Sequence, residues 1–86
     1  MAELHLPGTL TPLFAGLPRR LDIEAATVDD AISELERKWP GLRDRLCEPG
    51  NLRTHIHVYV DRERATLATR LDPRSRVDVI AAISGG

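Results

Sequence analysis

Apolar and polar positions alternate at the start of the chain. Ala2, Leu4 and Leu6 fall on one side of an extended backbone and Glu3 and His5 on the other, which predicts a strand over Ala2–Leu6. Pro7-Gly8 interrupts it, and a loop with Leu10, Leu13 and Phe14 closes at Gly16 and Pro18. Leu21 and Ile23 predict a second strand over Arg19–Glu24, so the chain opens as a hairpin. After Thr27 the period changes. Val28, Ala31, Ile32, Leu35 and Trp39 fall at helical spacing and build one apolar stripe. Thr27 is a capping residue with Asp30 three positions on, and Asp29 and Asp30 suit the positive end of a helix. Pro40-Gly41 stops it.

The stretch from Gly41 to Thr54 is less regular. Leu42 and Leu46 are spaced for a short helical turn, and Glu48-Pro49-Gly50-Asn51 reads as a turn. Ile56, Val58 and Val60 then alternate with His55, His57 and Tyr59, a clear strand. Asp61-Arg62-Glu63 is a polar turn, Arg64–Leu71 fits a short strand and a helical turn, and Asp72-Pro73-Arg74-Ser75 is a further turn. Val77, Val79, Ala81 and Ile83 share one face of a last strand over Val77–Ile83, from which Ser84-Gly85-Gly86 trails. The first and last strands are apolar enough to be central. A hairpin, one helix and returning strands predict an α+β chain: a β-grasp domain over residues 1–86, with a mixed sheet of four to five strands, one main helix on one face and a tail at 84–86.

Composition narrows the function classes. The 86 residues fit one domain, too small for a deep cleft between lobes. A net charge of −1 with interspersed signs leaves no basic block for nucleic acid, and Phe14, Trp39 and Tyr59 are the only aromatics for stacking. No stretch approaches the roughly 20 apolar residues of a membrane span, and no signal-peptide pattern is legible, so the cytoplasm is the expected location. With Cys47 alone, no internal disulfide can form.

The most informative chemistry is the pair Gly85-Gly86 after an apolar strand. Two glycines add nothing to a core; they make a thin rod that enters a narrow slot and lays its carboxylate beside a nucleotide phosphate. A carboxylate is a poor electrophile, but an acyl-adenylate loses AMP readily. Attack by a sulfur donor would then leave a thiocarboxylate on Gly86, a soft nucleophile like a thiolate. The competing features have plainer explanations. His55 and His57, two apart, lack the further ligands a zinc site needs, so no metal is expected. Cys47 has neither a CxxC partner nor a basic cluster and reads as an incidental or buried thiol. Asp29-Asp30 is a helix start, and no phosphate loop or Ser-His-Asp pattern appears, so the chain by itself is not expected to be an enzyme.

The ending Val77-Asp78-Val79-Ile80-Ala81-Ala82-Ile83-Ser84-Gly85-Gly86 resembles that of the MoaD/ThiS family of ubiquitin-like sulfur carriers, and the resemblance covers essentially the whole chain. Within the family, Ala31–Glu36 running to Gly41–Leu46, and Ile56–Val60, look most like the carrier of the thiocarboxylate-dependent cysteine pathway in actinobacteria. The long stretch over residues 40–54 differs from the shorter thiamine-pathway carriers. Two departures are the absence of the proline the family commonly places at the Ala81 or Ala82 position, and Pro73-Arg74-Ser75 in place of an Asp-Gly-Asp/Glu turn.

The resemblance implies that Gly86, with Gly85, is the adenylate and thiocarboxylate site. It also implies a partner surface at Ile80, Ala81, Ala82, Ile83 and Ser84, with Tyr59 or Val58 as neighbours and Arg74 and Arg76 steering. The implied partners are an E1-like adenylyltransferase and sulfurtransferase that binds ATP and zinc itself, a sulfur-accepting synthase of the cysteine synthase type, and a JAMM-type zinc metalloprotease. No cofactor is expected on the chain. The rival readings are a molybdopterin synthase small subunit, a ubiquitin-like modifier joined to lysines, and a plain interaction domain.

Overall fold

A computed structural model describes residues 1–82. Its element order begins with β1 (Ala2–His5), a 3-10 turn (Thr11–Leu13), β2 (Arg20–Ile23), α1 (Val28–Lys38) and α2 (Leu42–Leu46). There follow β3 (Cys47–Glu48), β4 (Asn51–Leu52), β5 (Ile56–Val60), β6 (Glu63–Ala65) and β7 (Arg76–Ala81). The main sheet has the order β2-β1-β7-β5-β6, and β3-β4 form a separate small hairpin. β1 and β7 run parallel, with Leu4 beside Val77; every other pairing is antiparallel. A hairpin, a helix crossing one face, and a last strand inserted parallel to the first make the β-grasp arrangement that the hydrophobic pattern predicts.

The pleat sorts each strand into two faces. Leu4, Val58 and Val77 turn inward against Val28, Ala31, Ile32 and Leu35 of α1, and all seven are buried. Burying each Val or Leu side chain contributes about 1.5–3 kcal/mol. Leu42 and Leu46 bring α2 onto the same core, as their spacing predicts.

Local ties fix the ends of α1. Thr27 Oγ1 accepts from the Asp30 amide at 3.1 Å, the expected cap. Two more of the helix's unpaired amides, Val28 and Asp29, donate to the carbonyls of Thr69 and Leu67, so the irregular 66–71 stretch straps the helix start. At the other end Trp39 is the C-cap, and its indole Nε1 donates to the Ala15 carbonyl at 3.0 Å. α2 follows a left-handed Gly41 (φ 97°) and has no cap of its own; instead Glu36 of α1 accepts the Gly41 and Arg43 amides, the latter at 2.8 Å. Those two bonds hold the Glu36 carboxyl below the usual carboxylate range, the Arg43 amide contributing most.

The sequence reading and the structure differ at the edges. β7 starts at Arg76 rather than Val77, and the expected strand residue Ile83 lies outside the described residues, together with Ser84, Gly85 and Gly86. β1 ends at His5, one residue short of the expected Leu6, whose amide still bonds the Arg19 carbonyl in the hairpin register before Pro7-Gly8 breaks the strand. β5 starts at Ile56, which leaves His55 in the preceding turn instead of on the strand. The β3-β4 hairpin flanks the expected Pro49-Gly50 turn and is too short to give a periodic signal. No described helix is long and apolar enough to cross a membrane.

Candidate functional site

β7 is the central strand that leads to the tail, and its two faces divide the labour. Val77 and Val79 face the core; Arg76, Asp78 and Ile80 face away from α1. Ile80 remains 47% exposed, one of three large apolar residues so exposed among the described residues. Its direct cross-strand neighbour is His57; Tyr59 stands opposite Asp78, one pair further along the same face. Val58, the other expected neighbour, is fully buried opposite Val79 on the core side. Ile80, His57 and Tyr59 therefore form a small apolar and aromatic patch on the open face of the sheet. The periodicity already placed His57 on that face, but its value as a neighbour of Ile80 needed the register.

The other half of this face is charged. Arg76 lies beside Asp78, with its Nε 3.1 Å from the carboxylate, and this bond pushes the guanidinium pKa up. On β1, Glu3 sits 3.6 Å from Arg20 and 3.5 Å from His5. Arg74 is on the exposed turn before β7, where its amide donates to Asp72 Oδ1. Arg74 and Arg76 stand at the far end of β7 from the tail; six residue steps at about 3.3 Å each separate Arg76 from Ala82 by roughly 20 Å.

At the tail end, the Ala82 amide donates to the His55 carbonyl at 2.7 Å. Ala81 is paired in register with Ile56, while Ala82 is exposed. Beside this root lies an open cavity of about 410 Å³ lined by Asp44, Arg45, Arg53 and His55. Sequence spacing could not have found this grouping, because α2 and the turn before β5 are brought together only by the fold.

The remaining chemistry-bearing groups stay apart. Cys47 is buried, and burial pushes its thiol pKa up, away from nucleophilic use. No three His, Cys, Asp or Glu side chains converge on a metal-sized site among the described residues.

Comparison with known proteins gives this geometry a family. The small archaeal modifier protein 3 of Haloferax volcanii is 34% identical over 65 residues, covering 71% of each chain. The sulfur carrier protein CysO of Mycobacterium tuberculosis is 28% identical over 90 residues, covering 96% of each chain. The crystal structure of that CysO superposes with a TM-score of 0.86 at 26% identity, over 96% of this chain and all of the other. A chain of the Amycolatopsis orientalis BexX/CysO complex superposes with a TM-score of 0.89 over both full lengths, at 23% identity, a likeness of fold. The model of the ThiS family matches residues 9–86, through to the paired glycines. With its ubiquitin-like β-grasp sheet and this match, the chain belongs to the ThiS family, among small sulfur carriers and ubiquitin-like modifiers.

Proposed function

We propose that the chain is a protein-borne sulfur donor that carries sulfur as a thiocarboxylate on Gly86. One observation carries the reading. The family match runs to Gly86, and the central strand β7 ends at the Ala82–His55 bond and so feeds residues 83–86 directly from the rigid sheet. A Gly86 carboxylate oxygen attacks the α-phosphate of ATP in the partner's site, and pyrophosphate leaves. Hydrosulfide then attacks the acyl carbon of the adenylate; AMP leaves with the oxygen, and loss of the proton gives the thiocarboxylate. The chain contributes the tail and a docking face. The ATP and zinc belong to an E1-like partner, and the reaction steps are the partner's.

For the acceptor, we read a synthase of the cysteine synthase type, with a JAMM-type protease releasing the product. This finer assignment follows the likeness to CysO along 96% of the chain. The expected partner surface is Ile80, Ala81 and Ala82 with the tail residues Ile83 and Ser84, and Tyr59 beside them.

The 34% identity to an archaeal modifier protein favours a second reading, in which the activated Gly86 is passed to a lysine amine. Intact mass after incubation with the activating enzyme, ATP and sulfide decides between them. Replacement of one oxygen by one sulfur on a chain ending at Gly86 supports the carrier. Adenylation followed only by isopeptide adducts supports the modifier, and an unchanged mass rejects both.

A further inference from the structure

Two guanidiniums, those of Arg45 and Arg53, lie in the cavity beside the root of the tail. Arg20, Arg37, Arg43 and Arg76 are paired with carboxylates, and Arg45 and Arg53 are two of the seven arginines for which no carboxylate partner is described. These two guanidiniums converge with His55 on the cavity beside Ala82, and Asp44 supplies the one carboxylate lining it. The grouping is held by backbone-anchored bonds. Arg53 Nε donates to the Asp44 carbonyl at 2.6 Å, and its amide donates to the Leu46 carbonyl at 2.9 Å, which binds the turn before β5 to α2. The His55 carbonyl in turn holds the Ala82 amide. The end of α2, the turn and the exit of β7 are therefore one unit, and Arg45 projects from it, exposed.

We propose that Arg45 and Arg53, with the His55 imidazole beside them as a hydrogen-bonding group, form a cationic docking surface that receives acidic side chains at the mouth of the partner slot into which the tail is inserted. The inference rests on the carrier reading and adds the chemistry of the partner's rim. A partner that takes up the tail must pass over this root, because the cavity adjoins the Ala82 exit. Two guanidiniums against the single Asp44 carboxylate leave this cavity net positive on a chain of net charge −1, which favours an acidic counter-surface. Such rim charges act chiefly on association, accelerating encounter and fading as salt screens them. The competing occupant is the chain's own Gly86 carboxylate, since residues 83–86 reach about 13 Å from Ala82 when extended.

The test is steady-state adenylation of the full chain by its own activating enzyme, followed as ATP–pyrophosphate exchange against carrier concentration. The variant is Arg45→Glu with His55→Glu; Arg53 is left in place because it holds α2 to the turn. The expected result is a kcat/KM about tenfold lower at low ionic strength, an unchanged kcat at saturating carrier, and a gap that closes with added salt. Arg45→Gln alone loses about threefold on the same basis and serves if the double variant melts early. A variant kcat/KM equal to wild type, or a loss indifferent to salt, overturns the proposal. A gain overturns it in favour of capture of the chain's own carboxylate. A wild-type chain that is never adenylated removes the carrier reading and this inference with it.

Discussion

Ala82 donates its amide to the carbonyl of His55 at 2.7 Å, the final described tie between the sheet and the residues that follow. Amides alternate direction along a strand, so the Ala81 amide points away from β5, on the side where β1 has already ended at His5. Proline at position 81 therefore removes no ladder bond, whereas proline at 82 removes this one. Ala81→Pro is expected to leave the melting temperature within a degree or two of wild type, and Ala82→Pro to cost about 1 kcal/mol. Thermal melts of the two single variants read the difference.

Ile80 gives the open face of β7 its apolar character. Ile80→Thr keeps a β-branched side chain and is half exposed, so stability should change by about 0.5 kcal/mol or less. If the face docks the activating partner, the kcat/KM of adenylation should fall about fivefold or more, the mark of a residue worth at least about 1 kcal/mol at an interface. Wild-type kinetics in this variant would move the docking face away from Ile80.

The Glu36 carboxylate caps α2, and its pKa is depressed because the Arg43 and Gly41 amides donate to the ionised form. A group whose folded pKa lies below its unfolded one contributes stability at neutral pH, and that contribution is lost as pH falls through the folded value. Glu36→Gln should lower the melting temperature at neutral pH by a few degrees. The gap from wild type should then shrink over about pH 5 to 3. Paired melts across that range test the sign.

The turn between β5 and β6 places two non-glycine residues in the left-handed region, Asp61 at φ 49° and Arg62 at φ 73°. Asp61 is compensated: its amide donates to the Arg76 carbonyl, and its carboxylate accepts the Arg76 amide at 2.9 Å. No such compensation is described for Arg62. Arg62→Gly should therefore stabilise the fold by about 0.5–1 kcal/mol, measurable as a higher denaturation midpoint with unchanged slope.

Cys47 is buried and its thiol pKa is pushed up by desolvation. Labelling by a thiol reagent in the folded state should proceed only as fast as opening of the α2–β3 region allows. Rapid labelling under native conditions would show that this corner is loose.

Much of this architecture was legible in the sequence. The helix over Val28–Trp39, the alternation at Ile56–Val60 and the apolar first and last strands were strong because each side chain in them obeys one period and packs on one core. What resisted reading depends on distant contacts. The β3-β4 hairpin is too short to show a period, and the 66–71 strap is defined by carbonyls given to another element. At the site, Ile80 was visible as an outward apolar residue, but its partner His57 is set by strand register. The family resemblance implies steering charge at Arg74 and Arg76. Those two stand at the end of β7 away from Ala82, while the fold brings Arg45 and Arg53 beside His55, whose carbonyl holds the Ala82 amide.

Pairing Leu4 with Val77 has a consequence for biogenesis. β1–β2 and β5–β7 pair at short range, but the central β1–β7 pairing joins residues 73 positions apart (77 minus 4), so a long loop must close before the two halves of the sheet become one. A chain without β7 lacks the centre of its sheet. If the proposed activating enzyme reads the assembled face of β7, this topology makes charging depend on closure of that loop and works as its own inspection step.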